Sequence, residues 1–312
     1  MAVYTQVPAE SLEVFLAQFE TGPLVSAKGI AEGVSNSNFL VETETDRFIL
    51  TLYERRIDMD DLPFFIRLME HLADSGLPVP RPIRSRDGKA LHMVEGRNAC
   101  LIQYLPGVSV SHPTPAQAHA AGEALARLHM AGQSFAERRQ NHLSLGWWRE
   151  TAAELGNRLD EIAPGLAALV RDGLARVDAQ WPTGIPAGII HADLFPDNVL
   201  VLGDSVTGLI DFYFACTDFL AYDLAVLHAS WAFHADGHAP IPERSEAVIA
   251  GYETIRPLEP AERAAFPILA QGASLRFLLS RAQDWLHPAG DEALVQRKDP
   301  MAFARRLSYY AG

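Results

Sequence analysis

Around residues 105 to 115, LPGVSVSHPTP, the chain changes its periodicity. Before this stretch, apolar residues come in short or alternating runs divided by Gly and Asn: KGIAEGVSNSNFLVET, RFILTLYE, KALHMV and NACLIQYL. A period of two marks a strand with one buried face, and the dividing residues suit turns between antiparallel strands. Helical spacing interrupts the pattern in ESLEVFLAQFE (10 to 20) and in DDLPFFIRLMEHLADS (60 to 75), the latter stopping at Gly76. After it, AQAHAAGEALARLHMAG starts a long Ala-rich helix, and helical spacing then dominates except for GIIHADLF, NVLVL and GLIDF. The expected fold is α+β, with a small antiparallel sheet in residues 1–106 and a larger, mainly helical domain in 107–312. A length of 312 residues agrees with two cores rather than one.

Composition removes some functions. Lys and Arg number 26 against 39 Asp and Glu, a net charge of −13, which argues against a nucleic-acid partner because phosphate backbones attract basic surfaces. An anionic ligand would need local backbone N–H groups, a few placed cations or a divalent metal. The most apolar long stretch, residues 209 to 233, is broken by Asp211, Asp218, Asp223 and His228, so no membrane span is expected. MAVYTQVPAE lacks the basic-then-apolar pattern of a secretory leader, and the cytoplasm is the expected location. Cys100 and Cys216 lie in apolar contexts and read as free core thiols, a disulfide between them being the alternative.

The chemistry concentrates in IIHADLFPDNVL and in GLIDFYF, whose Asp211 stands thirteen residues after Asn198. Isolated charges beside apolar strands are costly unless they are paired, hold a metal or sit in surface turns. Asp193, Asn198 and Asp211 offer hard oxygen donors of the kind Mg2+ prefers. The pattern H-x-D-x-x-x-x-N followed by a strand ending in Asp is that of a phosphoryl-transfer loop. A structural turn, or a metal-dependent hydrolase built on His191, Asp193, Asp211 and His228, are the competing accounts of the same residues.

LIQYLPG (101 to 107), ALARLH (124 to 129), IIHADLFPDNVL and GLIDFYFACTDFLAYDLAVL together resemble the aminoglycoside phosphotransferase and choline kinase family, relatives of the protein kinases. The resemblance covers nearly the whole chain. It implies a bilobal protein-kinase-like fold with a small antiparallel-sheet N-lobe and a large helical C-lobe, using ATP and Mg2+. By this resemblance Asp193 is the base that accepts the hydroxyl proton, while His191 and Asp223 brace the loop. Asn198 and Asp211 hold magnesium, and the backbone of Gln103 and Leu105 holds adenine. The Gly29 to Asn38 turn, through Gly33, Ser35 and Asn36, would cover the phosphates, a plain hairpin turn being the alternative.

Within the family, HADLFPDNV, IDFYFACTDFLAYDLA and SLRFLLSRAQDW look most like members that phosphorylate the side-chain hydroxyl of L-homoserine on the route to threonine. Another small alcohol, an aminoglycoside or choline, or nucleotide binding without turnover are the alternatives. An amino-acid substrate needs a cation for its carboxylate, for which Arg276 and Arg281 are candidates, and an acid for its ammonium, such as Asp218 or Asp284. One departure from the family pattern stands out. Thr51 occupies the place of the usual strand lysine, and the following helix offers Phe65 or Arg67 where its glutamate partner belongs, with Glu70 a turn late. Lys28 is the nearest substitute cation, a solvated lysine at a strand end being the simpler account of it.

Overall fold

A computed structural model describes residues 5–30, 36–54, 58–287 and 298–312. The chain divides into two compact units at Pro106 and Gly107. The smaller one contains α1 (Ala9–Leu16), β1 (Leu24–Ile30), β2 (Asn36–Thr43), β3 (Arg47–Tyr53), α2 (Leu62–Asp74), β4 (Leu91–Val94) and β5 (Arg97–Gln103). Its five strands lie in the order β1-β2-β3-β5-β4, all pairs antiparallel. Because side chains alternate along a strand, Phe48, Leu50 and Leu52 of β3 share one face with each other. They form a core with Phe39 and Val41 of β2 and with Leu12, Phe15, Leu16 and Phe19. The first helix is shorter than its spacing suggests. It ends at Leu16, where Gln18 and Phe19 close tight turns onto Phe15 and Leu16, and the turn carries the Phe19 ring into the same core.

The α2 helix stops where its glycine predicts. Gly76 takes φ +81°, its N–H donates to Ala73 O at 3.0 Å, and Leu77 N–H donates to Leu72 O at 3.1 Å. These two bonds satisfy the last carbonyls of the helix, and the left-handed residue between them carries no side-chain penalty as glycine.

The larger unit contains α3 (Pro115–Gly132), α4 (Leu145–Leu155), α5 (Leu166–Gln180), β6 (Ala187–Ile190), β7 (Val199–Leu202), β8 (Ser205–Leu209), β9 (Cys216–Phe219), α6 (Leu220–Trp231), α7 (Pro242–Ile255), α8 (Pro260–Leu286) and α9 (Met301–Ala311). Thr114 opens α3 with a reciprocal cap: its hydroxyl accepts from Gln117 N–H while Gln117 Oε1 accepts from Thr114 N–H. Helices α3 and α7 then approach backbone to backbone. A Cβ on Gly122 would lie 2.2 Å from Val248 O, and one on Gly251 would lie 2.0 Å from His119 O. Every residue of α6 except Ser230 is buried, which makes it the central helix of this unit.

The strands of this unit differ from the sequence expectation in one respect. A fourth strand, Cys216–Phe219, was hidden in the apolar run after Asp211. It pairs with β6, while β7 pairs with β8, so two separate antiparallel ribbons frame the HADLFPDN loop. Both cysteines are free and buried, and burial pushes each thiol up to about 12, so both are inert at neutral pH. Among the described residues no helix is long and apolar enough to cross a membrane.

Candidate active site

The HADLFPDN loop leaves β6 through two buried isoleucines, Ile189 and Ile190, and reaches β7 through a short 3-10 turn, Pro196–Asn198. Its first residues are clamped. Asp223, at the start of the central helix α6, accepts His191 N–H at 2.7 Å on one oxygen and Ala192 N–H at 2.8 Å on the other. His129 Nε2 adds a third bond to the Asp223 carboxylate at 3.1 Å, and its Nδ1 meets Tyr252 Oη at 2.8 Å. From the other side Arg276, 3% exposed, donates to Ala192 O. Ala192 sits at φ +65°, a left-handed conformation that costs a non-glycine residue of order 1–3 kcal/mol. Bonds to its N–H and its carbonyl from two different helices hold it there, and this fixes the direction in which the next residue, Asp193, leaves the strand.

His191 joins this loop to the segment that carries Asp211. Fully buried, it approaches Ile210 O with Nε2 at 3.0 Å and accepts Asp193 N–H on Nδ1 at 3.3 Å, so the Nε2–H tautomer satisfies both contacts. Burial holds its pKa below the ordinary imidazole value, which keeps the ring neutral and the tautomer fixed. Ile210 N–H in turn donates to Asn198 O at 3.0 Å. Both backbone groups of residue 210 are thereby tied to the loop, one residue before Asp211. Asp211 is the second non-glycine residue of this region in the left-handed conformation, at φ +65° and ψ +60°, and the chain turns there into Phe212–Phe214.

Asn198 Nδ2 donates to Asp193 O at 2.7 Å and to Asp193 Oδ2 at 3.1 Å. The amide therefore orients the Asp193 carboxylate and turns its own Oδ1 away from it. Asp193 is half-buried, and burial pushes its pKa up to about 7, the charge of Arg276 opposing and that of Asp211 reinforcing the rise. Desolvation by nearby protein atoms pushes Asp211 up to about 6, Lys298 opposing and Asp197 reinforcing, although the residue as a whole keeps exposure to solvent. Lys298 Nζ lies 3.0 Å from Asp197 Oδ2.

These two shifts predict a pH dependence. Both carboxyls titrate above their unfolded value, so each contributes stability that is complete below about pH 4 and is lost as pH rises through 6 to 7. In chelator, the Asp193→Asn protein is expected to melt about 2–6 °C above the parent at pH 8, with the difference narrowing steadily towards zero at about pH 4. Thermal unfolding at the two pH values checks this, and equal melting temperatures at pH 8 would contradict the raised Asp193.

The other residues singled out in the sequence take these places. Gly33 and Ser35 lie outside the described residues. Asn36 opens β2, is buried, and its Oδ1 has no hydrogen-bond partner among the described residues. Gln103 ends β5, exposed, with its N–H donating to Arg81 O at 2.8 Å; Leu105 follows in irregular, half-buried backbone. Thr51 is buried on the face of β3 opposite Leu50, and its hydroxyl donates to Asn38 Oδ1 at 2.8 Å. Glu70 is held by Arg84 through two bonds of 2.7 and 2.9 Å, so it is engaged elsewhere than with a strand cation. Lys28 is exposed on β1.

Two expectations change, those on Arg276 and His228, and Asp218 is found already engaged by protein partners. Arg276 is buried under the loop and serves Ala192, which removes it as a substrate contact. Asp218 is bonded to Asn141 Nδ2 at 2.7 Å and to Phe219 N–H at 2.7 Å. His228 is held between Tyr310 Oη at 2.6 Å and Ser245 Oγ at 2.7 Å, so a hydrolase account loses its second ligand. No role was read for His129 from the sequence, and the structure places it against Asp223. The available signal was position: it follows Leu125 by four residues on the buried stripe of α3, where a histidine requires a partner.

Comparison with known proteins agrees with this geometry. Residues 26–258 match the phosphotransferase enzyme family. A curated homoserine kinase of Xanthobacter autotrophicus is 51% identical over 311 residues, 99% of this chain and 96% of the relative. One of Azorhizobium caulinodans is 52% identical with the same coverage. Among solved structures, an amicoumacin kinase in complex with AMP-PNP and Ca2+ superposes with a TM-score of 0.71 at 16% identity, over 96% of this chain and 92% of the other.

Proposed function

The chain belongs to the phosphotransferase enzyme family, and we propose that it is an ATP-dependent homoserine kinase, transferring the γ-phosphoryl group to the side-chain hydroxyl of L-homoserine to give O-phospho-L-homoserine. The observation that carries the chemistry is the loop itself: Asp193 oriented by Asn198, both tied through Ile210 to Asp211. The acceptor is inferred from the curated homoserine kinases, which match half of the residues from end to end.

We assign Asp193 as the base. A general base works best with a pKa near the working pH, and a value of about 7 lets its carboxylate accept the hydroxyl proton as the bond to phosphorus forms. His191 touches only backbone and acts by holding the loop. The donor set fits magnesium. One carboxylate, Asp211, and one amide oxygen, Asn198 Oδ1, are both hard donors, and a Mg2+ site usually takes one or two protein ligands and completes its shell with phosphates and waters. When bound, the ion neutralises phosphate charge where it builds up. Adenine is assigned to the backbone of Gln103 and Leu105.

β3 carries no lysine for charge neutralisation, and the Thr51–Asn38 bond puts a neutral pair in its place. That feature favours a second reading, a nucleotide-binding protein without turnover; the intact Asp193, Asn198 and Asp211 set opposes it. One assay separates the two. With MgATP, the protein is expected to phosphorylate L-homoserine with a better kcat/KM than L-serine, choline or an aminoglycoside. Serine is shorter by one methylene, which a pocket discriminates by roughly 10- to 200-fold. Absence of turnover with every alcohol would leave the binding reading, and a preference for another alcohol would discard homoserine.

A further inference from the structure

Within the larger unit a cavity of about 530 Å³ opens beside Phe195 and Asp197 of the active-site loop, and α8, α9 and the start of α7 contribute Arg281, Arg306 and Arg244 to its lining. Resting on the kinase reading above, we propose that Arg281 and Arg306 in this cavity bind the α-carboxylate of the amino-acid substrate and so select it over amino alcohols that lack a carboxylate.

Arg306 is 4% exposed, yet its Nε has no hydrogen-bond partner, and Nη2 makes one long contact of 3.3 Å, to His234 O. A buried guanidinium with an unused donor is costly, and because Arg306 also lines the cavity, an anion arriving there offsets part of that cost. Arg281 donates to Asp299 O at 3.0 Å, and among the described residues neither arginine forms an ion pair with a carboxylate. The two guanidiniums stand 4.6 and 4.4 Å from the centre of the same ring, Phe303. Burial lowers both to about 10, and the charge of Arg281 lowers Arg306 further; both remain protonated at neutral pH. Two guanidiniums that line one cavity and pack on the same ring, neither engaged by a carboxylate, offer N–H donors suited to a carboxylate ligand. Contact with the reaction follows from position. Phe195 is two residues from Asp193, its ring packs on Phe277 of α8 at 4.7 Å, and the Asp193 charge acts on Arg281. A substrate whose carboxylate sits on the arginines therefore extends its hydroxyl end along the loop toward the base.

The test compares L-homoserine with 3-aminopropan-1-ol, which is homoserine without its carboxylate, in the parent, Arg281→Gln and Arg281→Lys proteins. The parent is expected to prefer homoserine by at least about 10³ in kcat/KM, as sites built to bind a polar group do. Arg281→Gln is expected to raise the KM for homoserine about 10- to 150-fold, the loss of a charge-assisted hydrogen bond, while KM for ATP and kcat/KM for 3-aminopropan-1-ol stay within about threefold. Arg281→Lys is expected to recover part of the homoserine KM, since it restores charge without the fork. An unchanged homoserine KM in Arg281→Gln, or an equal loss on both alcohols, overturns the carboxylate site while the kinase reading stands. A parent that phosphorylates 3-aminopropan-1-ol and not homoserine overturns both.

Discussion

Asp211→Ala is expected to remove Mg-dependent phosphorylation, with kcat falling by at least about 10³, the scale of losing charge stabilisation where it develops in the transition state. The local structure makes the substitution clean. Asp211 is exposed, and its raised pKa means that its ionised form detracts from the stability of the folded protein without metal. Alanine already occupies a left-handed position in the same site, at residue 192, so the backbone at φ +65° remains accessible when neighbouring bonds hold it. The bonds that position residue 211 come from Ile210 backbone to Asn198 O and His191 Nε2, and the substitution leaves both in place. Melting temperature in chelator should therefore hold or rise while turnover disappears. Turnover within tenfold of the parent at saturating MgATP would show that this carboxylate is not the metal ligand.

The second large effect is expected at Asp193. Asp193→Asn keeps the shape of the side chain and a carbonyl oxygen that can still accept from Asn198 Nδ2, but it cannot take a proton; a positioned base contributes roughly 10²–10⁴ in rate. The loss should appear in kcat, with KM for ATP within about threefold of the parent. The pH profile adds a readout that a merely structural role would not move. Since the reactive form is the carboxylate, parent kcat/KM for homoserine is expected to rise with pH up to about 7 and then level, metal binding drawing the midpoint lower. The residual activity of Asp193→Asn should lack that rise. A variant retaining the parental rate and profile would move the base elsewhere.

Several features were legible because they depend on neighbours in the chain. The spacing from His191 through Asp193 to Asn198 was legible because the two partners are only five residues apart, so a local turn brings the Asn198 amide onto the Asp193 carboxylate. Alternation in RFILTLYE set which residues of β3 enter the core, and Gly76 set the end of α2. The change of periodicity near residue 107 is likewise a property of local spacing. Strand Cys216–Phe219 escaped notice because a short apolar run has no period of its own, and only its pairing with β6 distinguishes it from a helix start.

What tertiary structure decided was the assignment of charges to partners. Arg276 and Arg281 stand five residues apart on α8 and looked equivalent in sequence. Packing gives the first to Ala192, 84 residues away, where it holds a strained backbone, and leaves the second on a cavity with Arg306 of α9. In the same way His129 gains its meaning from Asp223, 94 residues on, and Glu70 is taken by Arg84 rather than by a strand cation. The physical reason is common to all of them. A charged or titratable side chain reports on its own segment only how much it would cost to bury, whereas the group that offsets that cost is chosen by which distant helix the apolar faces bring alongside.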